Sequence, residues 1–161
     1  MKIVGNGRSA TVLILIFITI LCFLSYRCSA ADHEVDLFVG SSFATAKAAP
    51  VIGLNVEFPQ TKNTSFYAGT YLWGSTSKAN TNWDWHVGYR TCRNRFCANI
   101  GATYVQTIDD LNGSHANFNL GLSYLIDWKR ISRFDFFHIS NAGTTIPNLG
   151  RNAAGFDLKL Q

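Results

Sequence analysis

The sequence predicts an all-β protein, an eight-stranded antiparallel transmembrane β-barrel. Three observations carry that expectation. From about residue 32 onward the chain alternates apolar and polar side chains in eight separate stretches. Short polar turns, with no long linker or repeat block, separate those stretches. No stretch in this region is apolar for long enough to cross a bilayer as a helix, so a membrane form must satisfy its backbone groups by pairing strand to strand in a closed barrel.

The N-terminal segment has to be set aside first. Lys2 and Arg8 precede the apolar run Thr11 to Leu24, and "CSAA" supplies small residues before a cut after Ala30 or Ala31. This is the pattern of a secretory signal peptide, expected over residues 1–31, with the barrel domain over 32–161. An uncleaved anchor is the alternative, but a 14-residue apolar run is short of the roughly 20 residues a spanning helix needs. Removing Lys2, Arg8 and Arg27 leaves 11 of the 14 basic residues against all 10 acidic ones, a net charge of +1 rather than +4. The remaining cations form no long basic run, so nucleic acid is not an expected partner.

Cys22 and Cys28 fall in the leader, leaving Cys92 and Cys97 in "TCRNRFC". In an exported chain they are either a local disulfide or two free thiols. His33, His86 and His115 are scattered, so no metal site is expected, and no cofactor is implied.

The strands follow in order. The first, Val35 to about Thr45, and the third, Ser65 to about Gly74, alternate least regularly. In the second, Ile52, Leu54, Val56 and Phe58 oppose Gly53, Asn55 and Glu57. The fourth sets Trp83, Trp85, Val87 and Tyr89 against Asp84, His86, Gly88 and Arg90. The fifth sets Ile100 and Tyr104 against Asn99 and Thr103, and the sixth sets Phe118, Leu120 and Leu122 against Asn117, Asn119 and Gly121. In the seventh, "RFDFFHISN", Phe134, Phe136, His138 and Ser140 share one face while Asp135, Phe137 and Ile139 share the other. The eighth sets Ala154, Phe156 and Leu158 against Gly155, Asp157 and Lys159.

Alternation alone does not say which face is inside, since a soluble lipid-carrying barrel turns its apolar set inward. The polar set here is small and mixed in sign, and charged residues are only 15% of the chain. That suits a narrow polar interior, and the large aromatic set suits a lipid-facing band with interfacial girdles. An exported barrel of this kind is expected in a bacterial outer membrane, with the even-numbered connections as periplasmic turns and the odd-numbered ones as outer loops. The ending "FDLKLQ" departs from the terminal aromatic common in that class.

Asp135 orients the seventh strand. A charged group on the lipid face costs up to about 2–4 kcal/mol at midplane, less for Asp than for Arg or Lys, so Asp135 is expected inside and His138 and Ser140 outside. Residues two apart on a strand share a face about 6.5–7 Å apart, a gap an imidazole can span. A neutral His can take a serine proton and make the hydroxyl a nucleophile toward an ester. A third group normally holds the imidazole by its other nitrogen. If Ser140 pairs with Asn152 across the last hairpin, Asn152 reaches the same outward face and can serve. Asn141, Gly143 and Asn148 in the intervening loop could stabilise an oxyanion, or could be ordinary turn residues around Pro147.

With these residues in view, "HISNAGTTIPNLG" resembles the signature of the PagL family of outer-membrane lipid A 3-O-deacylases, a His-x-Ser-Asn followed by a Pro-Asn-x-Gly loop. The match is close over about Phe137 to Gly155. The resemblance implies removal of the ester-linked 3-O-acyl chain of lipid A at a site on the outer wall. His138 would be the base and Ser140 the nucleophile, with Asn148 and the Gly143 amide as oxyanion donors and lipopolysaccharide and membrane lipids as partners. It leaves the oligomeric state open, a homodimer included. The family pattern has an acidic residue where this chain has Asn152. The competing expectation is a small non-catalytic outer-membrane barrel, structural or adhesin-like.

Overall fold

The computed structural model describes residues 33–43, 48–75 and 81–160. The expected signal peptide lies outside the described residues, as do 44–47 and 76–80 in two of the long connections. Eight strands run β1 Glu34–Ser42, β2 Ala49–Thr61, β3 Thr64–Trp73, β4 Asn82–Arg93, β5 Phe96–Val105, β6 Ala116–Trp128, β7 Ile131–Ser140 and β8 Arg151–Lys159. They form a closed antiparallel barrel in chain order. Its seam is the pairing of β1 with β8, Asp36 opposite Lys159 through Ser42 opposite Ala153. The eight-stranded expectation holds, although β1 stops at Ser42, short of Thr45.

The two ends of the barrel differ. Residues 62–63, 94–95 and 129–130 make two-residue turns at one end, and ten-residue loops, 106–115 and 141–150, stand at the other. At the turn end Cys92 lies directly opposite Cys97 across the β4–β5 hairpin, and the two are joined as a disulfide.

The polar face points inward. Asp36, Asn55, Glu57, Asp84, His86 and Asp157 are buried, whereas Trp85 is 52% exposed and Leu122 64% exposed on the outer wall. Such an arrangement turns the usual burial preference inside out, leaving a continuous apolar exterior.

The interior is filled in layers. Near the turn end Arg133 meets Glu57 (2.6 Å), Asp36 (3.1 Å), Asp135 (3.2 Å) and Asp157 (2.5 Å). Arg90 joins the same group through Glu57 at 2.5 Å. At mid-height the His86 ring nitrogens face Asp84 Oδ1 (3.1 Å) and Asn55 Oδ1 (2.8 Å), and the ring stacks on Tyr71 at 4.4 Å between centroids. Gly69 makes this possible, because a Cβ there would sit 2.7 Å from His86 Nε2. Toward the loop end Phe38, Val51, Trp73, Phe137 and Ile139 form an apolar cluster, and Trp73 Nε1 donates to Asp84 Oδ2 at 2.5 Å. Periodicity did not reveal this inner aromatic layer. Phe38 of β1 and Tyr71 and Trp73 of β3, the two strands that alternate least regularly, meet Phe137 of β7 there. A barrel of eight strands has room only for its own side chains, and here they occupy it.

Candidate functional site

Strand β7 places the site as the alternation requires. Phe137 and Ile139 are buried inside, and His138 and Ser140 are half-buried on the outer wall between exposed Phe136 and the β7–β8 loop. Asp135 is inside and is 3% exposed, so its carboxylate does fix the direction of its neighbours.

The hairpin register differs from the expected one. His138, not Ser140, is the residue opposite Asn152, and Phe136 lies opposite Ala154. The slip is by two residues. Apolar alternation fixes only the parity of a register, and a two-residue shift leaves every side chain on its own face. The observed pairing is the more useful one chemically, because it sets His138 Nδ1 2.9 Å from Asn152 Oδ1. With that oxygen accepting, Nδ1 carries the proton and Nε2 is the basic nitrogen.

Gly150 sets the ring's resting place. It holds φ at +69°, a conformation costly for residues with a Cβ, and a Cβ there would lie 2.5 Å from His138 Cε1 and 3.0 Å from Nε2. The imidazole therefore lies over the bare backbone at the start of β8. Ser140 shares its face one step toward the loop; among the described contacts its hydroxyl makes no hydrogen bond with the ring, as is common before a substrate draws such a pair together.

The expected oxyanion residues divide into two kinds. Asn141 is 1% exposed and organises the loop: its Nδ2 donates to Thr145 Oγ1 (2.8 Å) and Pro147 O (3.2 Å), and its Oδ1 accepts from Gly143 N (3.0 Å). The Gly143 N–H is thus engaged inside the loop. Asn148 accepts from Asn141 N through Oδ1 at 3.1 Å, and its exposed side chain leaves the Nδ2 hydrogens as the available donors.

A second of the expected outer loops, 106–115, braces the first. Leu111 O accepts from both Leu149 N and Gly150 N at 3.0 Å, and Gly113 N donates to Pro147 O at 2.8 Å. Asn112 forms a bridge with Asn148, and Asp109 is ion-paired with Arg151, the residue next to Asn152. The only hint in "DDLNGSH" is an Asn-Gly turn, which does not say what the turn packs against.

On the outer wall around the site, Leu120 lies opposite His138 and Phe118 opposite Ser140 on the β6 side. Toward β1 the small Ala154 lies between Phe136 and Ser41, and the rings of Phe136 and Phe43 are 5.8 Å apart. His138 and Ser140 thus share an apolar outer wall, and an imidazole and a hydroxyl so placed can act on an ester whose hydrocarbon lies along it. No family model, characterised protein or solved structure matches the chain.

Proposed function

We propose that the protein is an outer-membrane esterase that removes the ester-linked 3-O-acyl chain of lipid A, with Ser140 as nucleophile and His138 as general base. The single observation that carries this reading is the His138–Asn152 hydrogen bond on the outward, apolar wall beside Ser140. A catalytic pair has no use for such a wall unless its substrate is lipid. The wall's apolar surface supports a bilayer location, and the long loops would then stand at the outer leaflet, where lipid A resides.

Ser140 Oγ attacks the ester carbonyl as its proton passes to His138 Nε2. Asn148 Nδ2, an exposed donor of the adjoining loop, would stabilise the developing oxyanion. The imidazolium gives the proton to the sugar oxygen as its bond to the acyl carbon breaks, so that the sugar leaves as a hydroxyl, and water then releases the fatty acid by the reverse sequence. Throughout, the acyl chain stays against Leu120, Phe136 and the neighbouring lipid.

Mass spectrometry of lipid A from cells making the protein tests this directly. Loss of one 3-hydroxyacyl chain is expected, and lipid A of unchanged mass despite folded protein in the outer membrane would leave the non-catalytic barrel as the better reading. That alternative draws its support from the uncharged Asn152 and the engaged Gly143 amide.

Asn152 sets a further expectation. An amide oxygen holds the correct imidazole tautomer but gives little help to the charge that develops on it. Asn152→Asp keeps the shape and makes the bond charge-assisted, a gain of about 1–1.5 kcal/mol and so on the order of tenfold in kcat/KM. A rate unchanged or lowered in Asn152→Asp, measured on purified lipopolysaccharide, would remove position 152 from the catalytic group.

A further inference from the structure

The charges outside the barrel are as ordered as those within it. All three two-residue turns carry exposed cations: Lys62 in the first, Arg93 and Arg95 around the second, Lys129 and Arg130 in the third. Among the described side chains none of the five is in an ion pair. Of the acids near that end, Asp36, Glu57, Asp135 and Asp157 are inside the barrel and Glu34 faces Lys159 at 3.9 Å, which leaves Asp127, beside the third turn in the chain, against the five cations. A chain of nearly balanced charge therefore presents one strongly positive end.

Turn chemistry alone does not explain these residues. Tight hairpin turns favour Gly, Asn and Asp, and Lys129 holds φ at +55°, a conformation in which Lys is uncommon. The disulfide between Cys92 and Cys97 ties the strand ends directly beside Arg93 and Arg95. Just above the turns lie exposed aromatics, Phe96, Tyr124 and Trp128, and Lys129 Nζ lies 4.9 Å from the Trp128 ring centroid. Aromatics at this level followed by cations match a membrane interface in which rings sit among the headgroups and ammonium and guanidinium groups reach the phosphates.

We propose that the turn end of the barrel is a binding surface for anionic phospholipid headgroups, formed by Lys62, Arg93, Arg95, Lys129 and Arg130. The occupant is the lipid leaflet at that end, because the cations stand in the turns that rim the wall, and Arg95 and Lys129 directly adjoin the exposed Phe96 and Trp128 in the chain. Their attraction holds the turn end at one interface, and the barrel's height then sets His138 and Ser140 at the other. The inference rests on the bilayer part of the reading above and is independent of the esterase chemistry.

The test uses protein purified from expressing cells and inserted into phosphatidylcholine vesicles carrying spin-labelled phosphatidylglycerol or phosphatidylcholine. The first is expected to associate with the barrel about two- to threefold more strongly at low salt, and the preference should vanish at roughly 0.5 M salt. It should also vanish when the five cations are replaced by Gln together, and fall part-way in Arg93→Gln/Arg95→Gln, a milder change that guards against misfolding of the fivefold variant. Equal association of the two lipids, or a preference that survives both salt and substitution, overturns the proposal while leaving the membrane barrel intact. Failure to insert into vesicles of any composition overturns the bilayer reading itself, and this surface with it.

Discussion

Ser140→Ala is expected to lower deacylation of lipopolysaccharide by about 10⁴- to 10⁶-fold, the range seen when a nucleophile is deleted from a serine hydrolase. The barrel should stay folded. Ser140 is half-buried at the end of β7, its strand pairing is to Phe118 through the backbone, and its hydroxyl supports no interior group. His138→Ala should cost nearly as much, and the double variant no more than either alone, because a nucleophile and its base act as one unit. Heat-modifiable migration of the folded barrel on gels, read beside acyl release from purified lipopolysaccharide, separates loss of chemistry from loss of fold. Retention of more than a tenth of the wild-type rate in Ser140→Ala would assign the hydrolysis to another group.

The second large effect lies in the interior. Arg133→Met is expected to destabilise the barrel by about 3–5 kcal/mol, the cost of stranding buried charge by removing one partner. Arg133 reaches carboxylates from β1, β2, β7 and β8, and is 3% exposed. Without it Arg90 alone faces the group, and Arg90 touches only Glu57 and, at 3.5 Å, Asp135. Arg133→Lys should recover little, since an ammonium is a single point and the four carboxylates lie around a planar fork. Urea-unfolding midpoints in micelles give the comparison. A change below about 1 kcal/mol for Arg133→Met would mean that the ionic layer is rearranged or hydrated and does not tie the strands together.

The apolar wall was legible in the sequence because a strand's side-chain period is two, and β2, β4, β5 and β6 keep that period over most of their length, losing it only near the register shifts at Pro59 to Thr61 and Leu125 to Trp128. Their polar faces were small and sparsely charged, which favoured a polar inside. Asp135 then pointed His138 and Ser140 outward, because a carboxylate turned into the polar interior leaves its alternate neighbours on the outer wall. What β1 and β3 put inside was not legible, since Phe38, Tyr71 and Trp73 carry no mark that separates an interior aromatic from an exterior one.

By itself, then, the sequence determined the strand count, the two faces of the regularly alternating strands, and the placing of His138 and Ser140 on one face, because all three follow from local alternation along single strands. The tertiary structure decided the rest. Parity allows Asn152 to face either Ser140 or His138, and only the built loop, held by Leu111, Asn112 and Asp109 from another hairpin, selects His138 and brings the two side chains to 2.9 Å. Strand alternation is a property of neighbours in the chain. The contact between His138 and Asn152 depends on segments some 40 residues away, Asp109 gripping Arg151, and no local pattern records it.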